Sequence, residues 1–344
     1  MRSPQRQTRF ESNRTITLPP SVMDSRMAPL EFAIGERSAL QLQEIVFVLP
    51  ALAFPPFGMT ALVFWMYVSA SVLFIIGLIK VLSELPREHD VDKIMPFGRI
   101  FFSIPLAVFG SEHFTATAGI AALVPSWIPA HTFWVYVIGG CFICAALSII
   151  VLVQARLAAA LVGMTMLIFV LVMDLPGTLA HPGNRFFWAL ALRQLAFSGG
   201  AFAFAMSPWR TGQVTRPQLK QVLAAIPRFF VGAPAIFYGV EHLLHPEYVP
   251  GIPLQKLTPD WIPGRIVLSY FVGVILILAG VCLLLNKKTR LAATALGLTI
   301  LLTVLWIYLP MLIAAPKDVV PLNFFFDTLF FCGTILLLAN AMKK

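Results

Sequence analysis

The hydrophobic part of this 344-residue chain consists of two copies of one sequence unit, and this internal duplication limits the fold more than any single motif does. Each copy holds an arginine, a proline and a Gly-x-Glu-His step at the same spacing, at Arg99, Pro105, Gly110, Glu112 and His113 and again at Arg228, Pro234, Gly239, Glu241 and His242. The shift is 129 positions here and becomes 134 after a five-residue insertion, as between Gly199 and Gly333. Two copies of one sequence unit predict two copies of one structural unit.

The composition excludes a soluble globular protein. Hydrophobic residues make up 58% of the chain and charged residues only 12%, about half the usual charged share. The net charge of +9 arises from Lys and Arg in short loops between apolar runs, not from a basic stripe with interleaved aromatic residues, so nucleic acid is not a predicted partner. The composition predicts an integral membrane protein whose main partner is the lipid bilayer.

Nine segments have the roughly 20 predominantly apolar residues that a bilayer-spanning helix needs. They lie at residues 59–82, 99–121, 132–154, 157–179, 186–206, 226–244, 265–285, 291–313 and 321–341. The predicted fold is all-α and transmembrane, with one extra N-terminal helix followed by two tandem four-helix bundles. Because each bundle has an even number of helices, both enter the membrane from the same side, and a pseudo-twofold axis along the membrane normal should relate them.

The predicted domain organisation follows from these spans. Residues 1–43 form a polar tail with six arginines, which we expect to be disordered. Residues 44–96 hold an apolar stretch from Ile45 to Phe57, too short to span and therefore expected to be interfacial, and then the extra helix and a loop. The two repeats occupy residues 97–206 and 226–341.

Loop charges predict the orientation, because Lys and Arg are retained on the cytoplasmic side of a membrane. One set of connections carries fourteen Lys and Arg residues, including Arg156 and Lys287. The other set carries four, namely Arg185, Lys256, Arg265 and Lys317. We therefore expect a multi-pass protein of the inner (plasma) membrane with a cytoplasmic C-terminus.

Glu112-His113 and Glu241-His242 are the main candidate site residues, because ionisable groups inside apolar helices are costly and usually functional. Thirteen residues separate Arg99 from Glu112, or about 20 Å of helix, which puts the pairs in the outer third of the hydrocarbon layer. The pairs could handle protons or bind a ligand, or they could fix helix packing by structural pairing. We expect each pair to lie inside its own four-helix bundle.

Arg193 and Asp327 add two intramembrane charges of opposite sign at equivalent positions of the two repeats. Arg193 could neutralise either glutamate, and Asp327 could face His242 or His245. A salt bridge that closes each bundle is the structural alternative.

Trp127 and Trp261 lie in a repeated Pro-x-Trp-Ile-Pro motif. Because tryptophan is enriched where membrane meets water, both are interpreted as interfacial residues, or else as a lid over an outer pocket. No metal site is predicted, because di-metal bundles use a Glu-x-x-His spacing and here Glu and His are adjacent.

The repeated units resemble the DoxX-like family of four-helix membrane proteins. The resemblance rests on the arginine that opens the first helix, the Gly-x-Glu-His step that closes it, and a turn that ends in Arg-Leu-Ala-Ala at residues 156–159 and 290–293. It covers residues 97–206 and 226–341, and His113 and His242 stand where many members have lysine. The resemblance implies membrane redox chemistry, as in subunits of thiosulfate:quinone oxidoreductase or membrane partners of redox-defence enzymes.

Three functions are compatible with these observations. The favoured one is an accessory or ligand-binding subunit that associates with a membrane oxidoreductase or a quinone and is not an enzyme on its own. The second is a quinone-linked oxidoreductase in which Glu112 or Glu241 takes the proton and the adjacent histidine bonds the quinone carbonyl. The third is a small-solute or proton-coupled transporter. The sequence has no P-loop, dinucleotide fingerprint or zinc-protease motif, and it assigns no catalytic residue.

Overall fold

The computed structural model describes residues 58–87, 90–207, 217–249 and 256–342. These ranges are helical and contain no strand beyond one isolated antiparallel bridge between Tyr248 and Leu257. The predicted polar tail and the Ile45 to Phe57 stretch lie outside the described residues.

Nine long helices make up the described ranges. They are α1 Ala61–Glu84, α2 Phe97–Thr115, α3 His131–Val151, α4 Ala155–Ala180, α5 Arg185–Ala205, α6 Pro217–Leu244, α7 Arg265–Leu284, α8 Thr289–Ala314 and α9 Val319–Ala341. Most bounds lie within two residues of the predicted spans. However, α6 begins nearer the N-terminus, and α2 ends early because the backbone at Ala116 leaves the helical region before a short helix, Thr117–Ala121.

Polar caps fix where several helices begin. The side chains of Thr60, Asn184 and Asp318 accept hydrogen bonds from backbone N–H groups in the first turns of α1, α5 and α9. These bonds satisfy N–H groups that have no partner within the helix itself. Asn184 and Asp318 are equivalent positions of the two repeats, so the fourth helix of each repeat starts in the same way.

Seven of the described helices are long and apolar enough to cross a membrane, which is compatible with a multi-pass membrane protein. The two long helices outside this group are α5 and α6. Helix α5 carries Arg193 and Gln194 and then the small residues Ser198, Gly199 and Gly200, all of which lower its hydropathy.

Helices α2, α5, α6 and α9 form the centre of the structure, with α9 packed on α2 and α5, and α5 packed on α6. Helix α3 lies against α2, α4 against α5, α7 against α6 and α8 against α9, while α1 packs on α2. The first helix of each repeat thus packs against the fourth helix of the other repeat. The expected arrangement of two separate four-helix bundles is not confirmed, because the two repeats share one core.

Glycines explain why the central helices approach each other across the repeats. Gly333 of α9 lies directly on the backbone of Phe101 and Phe102 in α2, so a Cβ atom there would clash. At the equivalent place, a Cβ added to Gly199 of α5 would come within 2.8 Å of the Phe230 side chain in α6. Small residues that let helix backbones approach closely are the usual means of helix association in membranes.

Helices α4 and α8 are each interrupted by one π-helical turn, at Val170–Asp174 and Val304–Tyr308. Both turns precede a Leu-Pro pair, and the proline ring and its missing N–H disturb the regular helical bonding on its N-terminal side. The two turns occupy equivalent positions of the repeats. They place Asp174 in one helix and Tyr308 in the other next to the charges of the central helices, as described below.

Candidate functional site

The described residues bring together a group of polar side chains from six helices, which we call the central polar cluster. Its members are Glu112 of α2, Asp174 of α4, Arg193 of α5, Tyr238 of α6, Tyr308 of α8, and Asn323 and Asp327 of α9. The cluster therefore draws on both repeats, and it lies where α5 and α9 meet.

An ion pair between Arg193 and Asp327 occupies the middle of the cluster. Nη1 of Arg193 donates to Oδ2 of Asp327 over 2.8 Å. The two residues are equivalent positions of the two repeats, and about two helical turns further along, the equivalent pair Gly200 and Thr334 also brings α5 and α9 into direct contact. The sequence suggests a separate partner for each of the two charges, whereas in the structure Arg193 and Asp327 pair with each other.

Glu112 lies beside this ion pair but is not part of it. Its carboxyl group and the amide of Asn323 lie within hydrogen-bonding reach of each other, and Asp327 and Arg193 are near enough to act on it electrostatically. Oε1 of Glu112 and Oδ1 of Asn323 are both buried and have no hydrogen-bonding partner among the described residues. We refer to Glu112 and Asn323 as the acceptor pair.

The π-helical turns supply two further members of the cluster. Asp174 is near enough to Arg193 for the two charges to interact, and its buried Oδ2 atom has no hydrogen-bonding partner within the described ranges. Tyr308, at the equivalent position, lies within hydrogen-bonding reach of Thr328 and close to Asp327. The cluster consequently contains three carboxyl groups and one guanidinium group.

Glu241, the counterpart of Glu112, has a different environment. It forms an ion pair with Arg185, with Nη1 and Oε2 3.2 Å apart, and the guanidinium of Arg185 also lies 4.4 Å from the ring centroid of Tyr248. The nearby Tyr238 donates to the carbonyl oxygen of Ala189 over 2.5 Å. Ala189 is the position equivalent to Asn323, so Glu241 has no amide there and pairs instead with Arg185, one helical turn earlier in α5.

The two histidines face away from the acceptor pair. His113 lies directly on Gly139 of α3, its Nδ1 atom is 2.7 Å from the carbonyl oxygen of Phe109, and its ring meets that of Phe142 edge-on. His242 is fully buried against Gly273 of α7 in the same manner. Adjacent helical residues point about 100° apart, which explains why each glutamate faces the other repeat while its histidine faces the second helix of its own.

Trp127 and Trp261 lie on the surface, in the turns that precede α3 and α7. Their exposure agrees with the interfacial interpretation, since the amphipathic indole ring prefers the boundary between apolar and aqueous phases. In the part of the chain that the structure describes, no group of three or more His, Cys, Asp or Glu side chains is arranged to hold a metal ion.

Sequence reasoning missed Asp174, Tyr238, Tyr308 and Asn323. A signal for two of them was present, because Asp174 and Tyr308 are polar residues at equivalent positions in otherwise apolar helices, each directly before Leu-Pro. Tyr238 and Asn323 are each polar in one repeat and apolar in the other, at Phe109 and Ala189. Comparing the two copies position by position would have marked all four.

Comparison with known proteins adds no assignment: no protein-family model matches the chain, and no curated protein or solved structure matches it either.

Proposed function

We propose that this protein is a DoxX-like membrane subunit that binds the polar head of a lipid-soluble molecule of the quinone class at the acceptor pair. In this proposal it acts as an accessory or ligand-binding subunit of membrane redox chemistry. The observation that carries the proposal is the pair of buried acceptor atoms, Oε1 of Glu112 and Oδ1 of Asn323, to which no described residue donates.

A buried acceptor without a donor lowers the stability of the fold by about 1–3 kcal/mol. A ligand that donates a hydrogen bond to such an acceptor would recover this free energy. The hydroxyl groups of a reduced quinone are donors, and one such group can bond to either oxygen. The hydrocarbon tail of the same molecule suits the apolar surroundings of α2 and α9. A ligand of this class therefore satisfies both the polar and the apolar parts of the site.

The position of the nearby ion pair supports ligand binding in preference to a purely structural role for Glu112. Asp327 already pairs with Arg193, and the described residues include no ion pair to Glu112. Glu241, by contrast, has its own cation in Arg185. If the two equivalent glutamates served only to fix helix packing, both would be expected to have an ion-pair partner, and only Glu241 has one among the described residues.

Catalysis by the protein alone is the weaker candidate. In the quinone-linked oxidoreductase that the sequence offers as an alternative, the glutamate and its adjacent histidine must meet one ligand. In the fold, His113 packs on α3 while Glu112 faces α9.

Transport has one specific observation in its favour, which is the interruption of two equivalent helices by π-helical turns beside the central polar cluster. Broken helices at a repeat interface are typical of transporter binding sites. Uptake of a small solute or of protons by vesicles that contain the purified protein, measured without added quinone, would favour this candidate over ligand binding alone.

Calorimetric titration of the protein in lipid nanodiscs with a short-chain quinone, in reduced and oxidised form, tests the proposal. We expect the reduced form to bind, and Glu112→Gln to weaken its binding about threefold to tenfold, since one hydrogen bond contributes about 0.5–1.5 kcal/mol. Glu241→Gln is the matched control and should leave the affinity unchanged. Equal affinity in wild type and Glu112→Gln, or an equal loss in both variants, would contradict the assignment of the site.

A further inference from the structure

We infer that the surface groove between α6 and α7 binds a single transmembrane helix of a partner membrane protein, in the way that α1 occupies the groove between α2 and α3. We call these the second groove and the first groove. The inference does not depend on the ligand proposed above, because the acceptor pair belongs to α2 and α9.

Helix α1 shows how the first groove is filled. Gly77 of α1 packs directly on Ile100 of α2 and Ile150 of α3, which are consequently only 1% and 2% exposed. At the end of the helix, Glu84 forms an ion pair with Arg99, the arginine that opens the first repeat. An apolar floor and one charge pair thus fix the position of α1.

The second groove has the same walls. Helix α7 packs on α6 through Gly239 and Gly273, just as α3 packs on α2 through Gly110 and Gly139. Phe229 and Leu284 take the places of Ile100 and Ile150. Among the described residues no helix covers them, so these two residues are 54% and 40% exposed, and Val240, in the place of the buried Ser111, is exposed as well.

Arg228 indicates which side chains a helix in the second groove should carry. It occupies the position of Arg99, and no carboxylate within the described ranges pairs with it; its guanidinium donates to the side-chain oxygen of Asn286. Lipid chains can cover the apolar floor and a lipid phosphate can pair with an arginine, but a helix supplies both contacts at fixed positions, as α1 does in the first groove. The occupant that fits both features is a helix with an acidic residue near Arg228 and a small residue about two turns before it, which are the places of Glu84 and Gly77 in α1.

Helix α1 itself provides the probe. A synthetic peptide of residues 59–87 keeps Gly77 and carries a photoreactive leucine in place of Leu73, which lies one turn away and is buried in the fold. The peptide is mixed with the full-length protein in nanodiscs and irradiated, and its adducts are mapped by mass spectrometry. We expect adducts on the walls of the second groove, among them Phe229 and Leu284. Adducts confined to Ile100 and Ile150, which would mean exchange with α1, or adducts on lipid alone, would overturn the inference, as would equal labelling by a scrambled peptide.

Fluorescence energy transfer between the labelled peptide and the labelled protein then measures their affinity, and charge variants show how much the ion pair with Arg228 contributes to it. Arg228→Gln in the protein and Glu84→Gln in the peptide should each weaken binding about threefold, the usual effect of one polar contact between membrane helices. The peptide variant keeps the test valid if Arg228→Gln fails to fold. Lys287→Gln, at the same end of the structure, is the matched control and should bind like wild type; an equal effect of this control would show nonspecific attraction and contradict the inference.

Discussion

At the scale of single residues, equivalent positions of the two repeats carry different chemistry. Arg193 and Asp327 have opposite charges and pair with each other. Glu112 has an amide neighbour in Asn323, whereas Glu241 has a cation in Arg185. The site is thus asymmetric although the helices around it correspond one to one, and of the two glutamates only Glu112 has a buried acceptor atom without a hydrogen-bonding partner among the described residues.

Removing one member of the central ion pair should be worse than removing both. Arg193→Leu leaves Asp327 mostly buried without its cation, and we expect a loss of about 3 kcal/mol in the free energy of unfolding, at the low end for buried pairs because part of Arg193 is exposed. Arg193→Leu combined with Asp327→Leu should recover most of this loss. Unfolding by SDS titration from mild detergent measures both. A double variant that is less stable than the single one would show that the pair itself stabilises the fold.

At the scale of helices, the contacts that decide the fold are those of α2 with α9 and of α5 with α6, and these contacts depend on glycines. Gly333 and Gly199 occupy equivalent positions on the fourth helices, and each lies on the first helix of the other repeat. Packing of this kind leaves no room for a methyl group, because interiors are filled to the density of organic crystals.

Alanine substitutions at glycines should therefore separate contact positions from free ones. Gly333→Ala and Gly199→Ala should each lower the free energy of unfolding by about 1–3 kcal/mol, the usual cost of overpacking. Gly140→Ala on α3 is the control, since nothing lies within 4 Å of the added atom, and it should be neutral or stabilising by up to about 1 kcal/mol. SDS titration again provides the measurement, and similar losses at all three glycines would argue against close contact of α2 with α9.

The helix bounds could be predicted from the sequence, because apolar runs end at charged or proline-rich turns, as at Arg185 and Arg265. The pairing of helices could not. Periodicity shows that Gly333 belongs to a packed face, but the same face suits a first helix from either repeat. The site was predicted in part for the same reason: depth placed Glu112, Arg193 and Asp327 at related levels, whereas the direction in which Glu112 points depends on which helix covers it.

At the scale of the whole molecule, the two repeats depend on each other, because the first helix of each packs on the fourth helix of the other. Each repeat covers one face of its first helix and one face of its fourth helix only when the other repeat is present. Stability should accordingly be a property of the pair of repeats, as it is for subunits of an obligate complex.

Cutting the chain tests this dependence. If residues 1–207 and 217–344 are produced as two chains in the same cell, we expect them to associate and to co-purify in mild detergent. Each half produced alone should be degraded or should form a dimer with itself, because Gly199 of α5 or Gly333 of α9, and the face of the first helix that packs on the other repeat, would otherwise be exposed. Size-exclusion chromatography with light scattering distinguishes these states. A stable monomeric half would instead support two independent four-helix bundles.

The location of the Arg193–Asp327 pair also bears on how such a protein can arise. In a dimer of identical unfused subunits, equivalent positions carry the same residue, so two arginines or two aspartates would face each other where Arg193 and Asp327 meet. A bond between unlike charges at that place requires that the two copies vary separately. Joining them in one gene permits this, and it fixes the ratio of the two halves at one to one during synthesis.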